Sequence, residues 1–205
     1  PLDSVIEAIR EKGAQVLGGY GSYVEMLFRY IHERGIDIPL PRVIDYGADG
    51  MTAPGRQLIS DNFGVPIVAS YTAVECFKIG YQCGAGPAYH LYEDLCHLRV
   101  VDQQGNSLPA GSPGHIVISN LVNRGTVLLN YPIGDLGTLA DSPCQCGRQF
   151  ALLEDLEGRA EYILLLGSGD FLHPRAIWAV LRKADGMVRY QFIQLDPEQF
   201  EHGLV

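Results

Sequence analysis

Cationic side chains are in short supply in this chain: 15 lysines and arginines face 24 aspartates and glutamates, for a formal net charge of -9 at pH 7. A protein whose main partner is nucleic acid or an anionic membrane needs a basic face, so both partner classes are excluded as expectations. Any anionic ligand would have to be held locally, by backbone donors, a metal or single arginines. Long apolar runs are also missing. Ile163 to Leu166 and Val16 to Leu17 fall far short of the ~20 residues that cross a bilayer, and the first residues show no basic stretch followed by the apolar core of an export signal. The chain therefore reads as cytoplasmic. Cysteines number five, an odd count in a chain of 205 residues that is long enough to bury a core, which fits poorly with a secreted disulfide framework. Reduced thiols, some of them on a metal, are the expectation. Internal repeats and low-complexity segments are absent.

What is present has an α/β grammar. Val24, Leu27, Phe28 and Ile31 recur at helical spacing after Ser22, a suitable N-cap, and the pattern stops at Gly35. Val43 to Tyr46 reads as a buried strand entering the turn Gly47-Ala48-Asp49-Gly50, Gln57 to Phe63 as a helix stopped at Gly64, and Val65 to Ser70 as the next strand. Strand, turn, helix, strand is the βαβ unit, so residues 1–96 are expected to form a parallel sheet covered by helices. From His97 the pattern becomes short strands broken by Gly, Pro and Asn: Leu98 to Asp102, Gly114 to Ser119 and Val127 to Asn130, with a hairpin turn at Gln104-Gly105-Asn106. Residues 97–157 are expected to form an antiparallel sheet or small barrel. After Gly158-Arg159 a strand at Tyr162 to Leu166, the turn Gly167-Ser-Gly169, a helix at Pro174 to Lys183 and a strand at Val188 to Gln194 suggest a partial α+β unit over 158–205.

A spaced series runs through these elements: Tyr71-Thr-Ala-Val-Glu75, then Tyr131-Pro-Ile-Gly-Asp135, then Gly158-Arg159. A Tyr that ends a parallel strand lies at the carboxyl edge of the sheet, where doubly wound folds bind ligands, and its flat face can stack a base. Glu75 could hold Mg²⁺ against phosphate oxygens. Asp135 could accept both hydroxyls of a ribose, and Arg159 could reach ribose or phosphate with bidentate geometry that Lys lacks. Read only as residue types, Tyr71 suits a core edge equally well, Glu75 a solvated helix start and Asp135 a turn former. Cys83 and His90 stand at the two ends of a Gly/Pro-containing loop, and Cys144-Gln-Cys146-Gly is a thiolate pair on a turn. These four soft ligands could close a tetrahedral Zn²⁺ site of the structural kind, with His97 as the rival to His90. Cys76 and Cys96 suit small buried hydrophobes. His115 lies mid-strand, and Glu93-Asp94 suits a solvated turn.

Order and spacing of these pieces resemble the adenylate-forming (acyl-activating) ligases, in the branch of phenylacetate-coenzyme A ligase and its capsule-synthesis relatives, over nearly the whole chain. Gly18 to Tyr23 is similar to that branch's Gly-x-Pro-Ser-Tyr segment and Gly47-Ala48-Asp49 to the turn that frames adenine. Tyr71 to Glu75 is similar to Tyr-Gly-x-Ser/Thr-Glu, Tyr131 to Asp135 to Tyr-Arg-Thr-Gly-Asp, Gly158-Arg159 to the hinge, and Pro143 to Arg148 to Pro-Cys-x-Cys-Gly-Arg. The resemblance implies that Tyr71 stacks adenine, Glu75 holds Mg²⁺ as the catalytic carboxylate, Asp135 holds ribose, and Arg159 lies on the pivot of a small swinging domain. It also implies zinc on Cys83, His90, Cys144 and Cys146, as in some relatives. The implied reaction joins a carboxylate, aryl or small, to ATP as an acyl-adenylate, after which coenzyme A or another thiol takes the acyl group.

Departures from the pattern are concentrated where phosphate and adenine would be. Ala69 stands where the family has Asp or Asn, Thr72 for its Gly, Val74 for its Ser or Thr, and Pro132-Ile133 for its Arg-Thr. Val74 cannot hydrogen-bond a phosphate. No Ser/Thr/Gly-rich loop followed by Lys occurs in the chain, nor the late lysine that promotes adenylation. The expectation is a segment running from the middle of the large domain to the start of the small one, inactive in isolation. Its alternative is a zinc-stabilised, non-catalytic module that binds nucleotide or coenzyme A weakly or serves as a partner surface.

Overall fold

The computed structural model describes residues 2–159, 164–168, 171–172, 177, 190–196 and 198–204. They divide into two compact units, residues 1–156 and 157–205. In the first, helix α1 (Leu2–Lys12) leads into strand β1 (Val16–Tyr20), helix α2 (Gly21–Glu33), strand β2 (Val43–Gly47), helix α3 (Ala53–Phe63) and strand β3 (Ile67–Ala73). Strands β4 (Phe77–Gln82), β5 (Tyr89–Leu91), β6 (Cys96–Val101), β7 (Pro113–Asn120), β8 (Tyr131–Leu139) and β9 (Leu152–Arg159) follow. They form one nine-stranded sheet of order β1-β2-β3-β4-β5-β9-β8-β7-β6. β1, β2 and β3 are parallel, whereas β4 pairs antiparallel to β3 and β5 to β4. The expected α/β class with an antiparallel portion is what is found. The 96/97 division falls inside this continuous sheet, whose far edge is β6.

Apolar periodicity explains the helical layer. Leu27 and Ile31 of α2 pack with Ile6 and Ile9 of α1, and Val24 and Phe28 pack with Ile44 of β2 and Ile59 of α3. Phe28 is fully buried and meets Phe63 edge-on, with ring centroids 4.9 Å apart. A third cluster, which includes Tyr71, Ile79, Leu98, Ile116, Ile118 and Leu153, fills the antiparallel part.

Local differences from expectation have identifiable causes. α2 begins at Gly21 with Tyr20 in the cap position and no side-chain cap; Ser22 instead bonds Asp49. α3 starts earlier than Gln57 because Thr52 caps it, accepting from the Gly55 N–H, with Pro54 in the first turn. Val127 to Asn130 is not a strand. The Asn123 side chain accepts the N–H groups of Gly125 and Thr126, which turns the chain there; the Leu128 carbonyl accepts the Asn120 N–H at 3.0 Å, and Val127 and Leu129 stay exposed. Asp135, which as a residue type suited a turn former, lies instead within the nine-residue β8. The sheet register slips there between His115 and Val117, and Gly134 takes φ +83, a bulge that only a glycine adopts without strain.

In residues 157–205, β10 (Leu164–Leu165) pairs with β11 (Phe171–Leu172), and β12 (Tyr190–Asp196) with β13 (Gln199–Leu204), both antiparallel. β10 and β12 overlap the strands expected there, while the helix expected at Pro174 to Lys183 lies outside the described residues apart from Ile177.

Candidate functional site

Three parallel strands end together and leave a cavity of about 320 Å³, lined by Gly18, Gly19 and Tyr20 of β1, Asp45, Tyr46, Gly47 and Ala48 at the end of β2, and Ser70 and Thr72 of β3. Its neighbour β4 runs antiparallel, so the cavity sits at the carboxyl ends of parallel strands beside a change of strand direction, where open α/β sheets bind ligands. Gly47 must be glycine, because a Cβ there would lie 2.9 Å from the Ser70 carbonyl oxygen. Ala48 takes φ +66, a strained setting for a residue with a Cβ. The walls offer carboxylate, hydroxyl, phenol and backbone groups, and no cationic side chain.

Both helix N-termini beside this edge are already satisfied by carboxylates of the chain. Asp49 accepts the Ser22 N–H at 3.1 Å and the Ser22 hydroxyl at the start of α2. Glu25 accepts the N–H and the hydroxyl of Thr52 at 2.9 and 2.8 Å, at the start of α3. A helix N-terminus is a natural anion site; these two are filled.

Of the residues assigned to nucleotide from sequence, Gly47 and Ala48 line the cavity and Asp49 braces α2. Tyr71 is 6% exposed and belongs to the core, its ring edge-on to Tyr89. Its hydroxyl donates to Asp135 Oδ2 at 2.7 Å, so the ring is a core residue whose hydroxyl orients Asp135. Thr72, next in β3, is the one that reaches the cavity. Asp135 is half-buried, placed by the Gly134 bulge. Glu75 is half-buried in the β3–β4 turn, its backbone carbonyl held by Asn120 Nδ2 at 3.3 Å. Arg159, exposed, ends β9 in the second compact unit. Tyr20, Asp45, Tyr46 and Ser70 were not read as candidates; the available signal was their place beside the Gly18-Gly19 and Gly47-Ala48 strand ends.

Replacing Tyr71 by Phe tests the Tyr71–Asp135 pair. The ring and its packing remain while a hydrogen bond to a carboxylate is lost, so urea unfolding should shift by about 2 kcal/mol with an unchanged slope. An unchanged midpoint would remove the pair from the account.

A second constellation is more sharply built. The ligand atoms of Cys83, His90, Cys144 and Cys146 all lie within 4.8 Å of one another, the one such convergence of three or more His, Cys, Asp or Glu among the described residues. Cys83 Sγ is 3.6 Å from Cys144 Sγ, and His90 Nε2 is 3.3 Å from Cys83 Sγ and 3.4 Å from Cys146 Sγ. Tetrahedral zinc with bonds of about 2.3 Å to sulfur and about 2.0 Å to nitrogen requires edges near ~3.8 and ~3.5 Å; these three of the six separations come within a few tenths of an ångström, and all six lie within 4.8 Å. The loop after β4 supplies Cys83, β5 supplies His90 and the turn after β8 supplies Cys144 and Cys146, so two segments distant in sequence close the set. His90 is fully buried, stacked on Tyr81 at 5.3 Å, and burial, with the nearby Arg148 cation, lowers its pKa and keeps it a neutral ligand. The Cys146 thiol is lowered to about 7, first by the Arg148 backbone N–H and also by contacts with Cys144, the Arg148 side chain and Cys83, so it ionises readily. His97, the rival ligand, is exposed on β6.

Sheet order, cavity position and motif spacing can be set beside proteins of known structure and sequence. No family model matches the chain. Solved structures of similar fold include 2-hydroxyisobutyryl-CoA ligase in the postadenylation state with 2-HIB-AMP (TM-score 0.79, 17% identity, covering 93% of this chain and 42% of that one). Others are an anthranilate CoA ligase with anthranoyl-AMP (TM-score 0.69, 15% identity, 94% and 38%) and an amide bond synthetase from Marinactinospora thermotolerans (TM-score 0.73, 17% identity, 100% and 44%). In sequence the chain is similar to phenylacetate-coenzyme A ligase of Thermus thermophilus, 28% identical over 193 residues, 90% of this chain and 43% of that protein. In fold the chain is similar to these adenylate-forming enzymes and in sequence to an acyl-CoA ligase, and it spans less than half the length of these relatives.

Proposed function

We propose that this chain is the nucleotide-facing segment of an enzyme that activates a carboxylic acid with ATP and passes the acyl group to a thiol such as coenzyme A. The observation that carries the reading is the cavity at the ends of β1, β2 and β3, within a sequence similar to a phenylacetate-coenzyme A ligase. In this reading the Gly47-Ala48 edge bounds the base, Asp135, held by Tyr71, accepts the ribose hydroxyls, Glu75 supplies a carboxylate for Mg²⁺, and Arg159 lies on the hinge. The two filled helix N-termini and the hydroxyl-free, fully exposed Val74 favour a site that grips the nucleoside more firmly than the phosphates. They also support a second reading, a non-catalytic member stabilised by metal. In both readings Cys83, His90, Cys144 and Cys146 hold a structural Zn²⁺, which fixes the β4–β5 loop to the turn after β8 and leaves no open coordination position for chemistry.

Calorimetric titration of the chain, and of the full-length protein, with AMP and with Mg²⁺-ATP tests the assignment. AMP should bind, and Asp135→Ala should weaken it at least ~10-fold, about 1.4 kcal/mol. Failure of both proteins to bind either nucleotide would overturn the enzyme reading. Binding without turnover of any acid by the full-length protein would select the non-catalytic one.

A further inference from the structure

Gln82, the residue before Cys83, is 8% exposed and makes two directed hydrogen bonds. Its Nε2 donates to the Pro87 carbonyl at 2.6 Å, across the loop that joins Cys83 to His90. Its Oε1 accepts from Arg56 Nη2 at 3.0 Å. Only this orientation of the carboxamide satisfies both neighbours, because a flip would set nitrogen against guanidinium and oxygen against carbonyl. Arg56 is itself fixed: Nη2 also donates to the Tyr46 hydroxyl at 2.8 Å and Nη1 to the Ile67 carbonyl at 3.1 Å. One guanidinium on α3 therefore braces both the Tyr46 wall of the cavity and the carboxamide that closes the loop.

We propose that Gln82, oriented by Arg56, is a positioning residue for the metal site: it holds the Cys83–His90 loop in the conformation that presents both ligands before the metal arrives. This rests on the reading of the four-residue set as a zinc site. The geometry supports it because the loop carries Gly84, Gly86 and Pro87, and Gln82 closes it with a bond from the residue preceding its first ligand. Loss of that clamp charges loop ordering to metal binding, and outer partners of this kind typically contribute 10–100-fold in affinity.

The test is competition for Zn²⁺ against a chromophoric chelator on the folded chain, with the visible spectrum of the Co²⁺ form as a record of ligand geometry and circular dichroism as the control for folding. Gln82→Leu removes both bonds. Gln82→Glu keeps the shape and an acceptor for Arg56 but has no donor for Pro87. Both should bind Zn²⁺ ~10–100-fold more weakly and alter the Co²⁺ bands. Arg56→Met should weaken binding less, and the double variant with Gln82→Leu should be no weaker than Gln82→Leu alone, since both act through one clamp. Wild-type affinity and spectrum in Gln82→Glu, or additive effects in the double variant, would overturn the clamp while leaving the zinc site standing. A wild-type protein that takes up no Zn²⁺ would overturn the metal reading and the clamp with it.

Discussion

Removing zinc should cost this protein more stability than any single surface change. Purified protein should carry about one Zn²⁺ per chain, and stripping it with a chelator, or replacing Cys146 by Ser, should lower Tm by roughly 10 °C or more, because metal bound only by the folded site contributes directly to folding. Differential scanning calorimetry with elemental analysis measures both. The set joins the β4–β5 loop to the turn after β8, so its loss removes the side-chain cross-link between two segments remote in sequence. Acid should act in the same direction. In the unfolded chain His90 titrates near its ordinary value of 6.5, while burial lowers its folded value. Below that pH the unfolded chain takes up a proton that the folded chain resists, so stability declines as pH falls below about 6.5 and is flat above it. Protonation of the thiolates releases metal over the same acid range. Equal Tm with and without chelator, and full thiol titration of the untreated native protein, would sink the site.

Gly21→Ala should be strongly damaging for so small a substitution. A Cβ at Gly21 would stand 2.7 Å from the Gly50 carbonyl carbon and the Met51 nitrogen and 2.8 Å from the Tyr46 ring, so backbone has to move, not a flexible side-chain end. We expect a loss of about 3 kcal/mol, or ~6–12 °C in Tm, together with a distorted cavity, since Tyr46 is one of its walls. Gly50→Ala is the control. A Cβ there meets nothing within 4 Å, so its Tm should stay within ~2 °C of wild type. Identical melting of the two variants would show that the close approach of α2 to the β2–α3 turn carries no weight.

Much of this architecture is legible in the sequence, for reasons that differ between elements. Val24, Leu27, Phe28 and Ile31 announce α2 because burial against the parallel strands requires one apolar stripe. Gly64, at φ +63, ends α3 as a left-handed C-cap, and Gly105 at φ +85 makes the hairpin turn. Cysteine spacing, with His90, pointed to the metal set. Other features were hidden because they depend on partners far away in sequence. The β8 bulge at Gly134 exists only against β7, so Asp135 suited a turn former as readily as a strand residue. The apolar Val127 and Leu129 resemble strand residues, yet the Asn123 side chain takes the local backbone donors first. Tyr71 alternates correctly for either face of a strand, and only the packed sheet puts its ring inward and its hydroxyl on Asp135.

Local chemistry, then, determined by itself the α/β class, the main turns and which thiols and histidines were worth bringing together, since these follow from periodicity, backbone permissiveness and residue spacing. Tertiary structure decided the rest. It brought Cys83 and His90 together with Cys144 and Cys146 and left His97 exposed, buried Tyr71 while setting Gly47, Ala48 and Thr72 along the cavity, and placed Asp49 and Glu25 at two helix N-termini. Each of these is a contact between segments remote in the chain, and nothing in the spacing of residues along a strand or helix specifies which remote segment will be its neighbour.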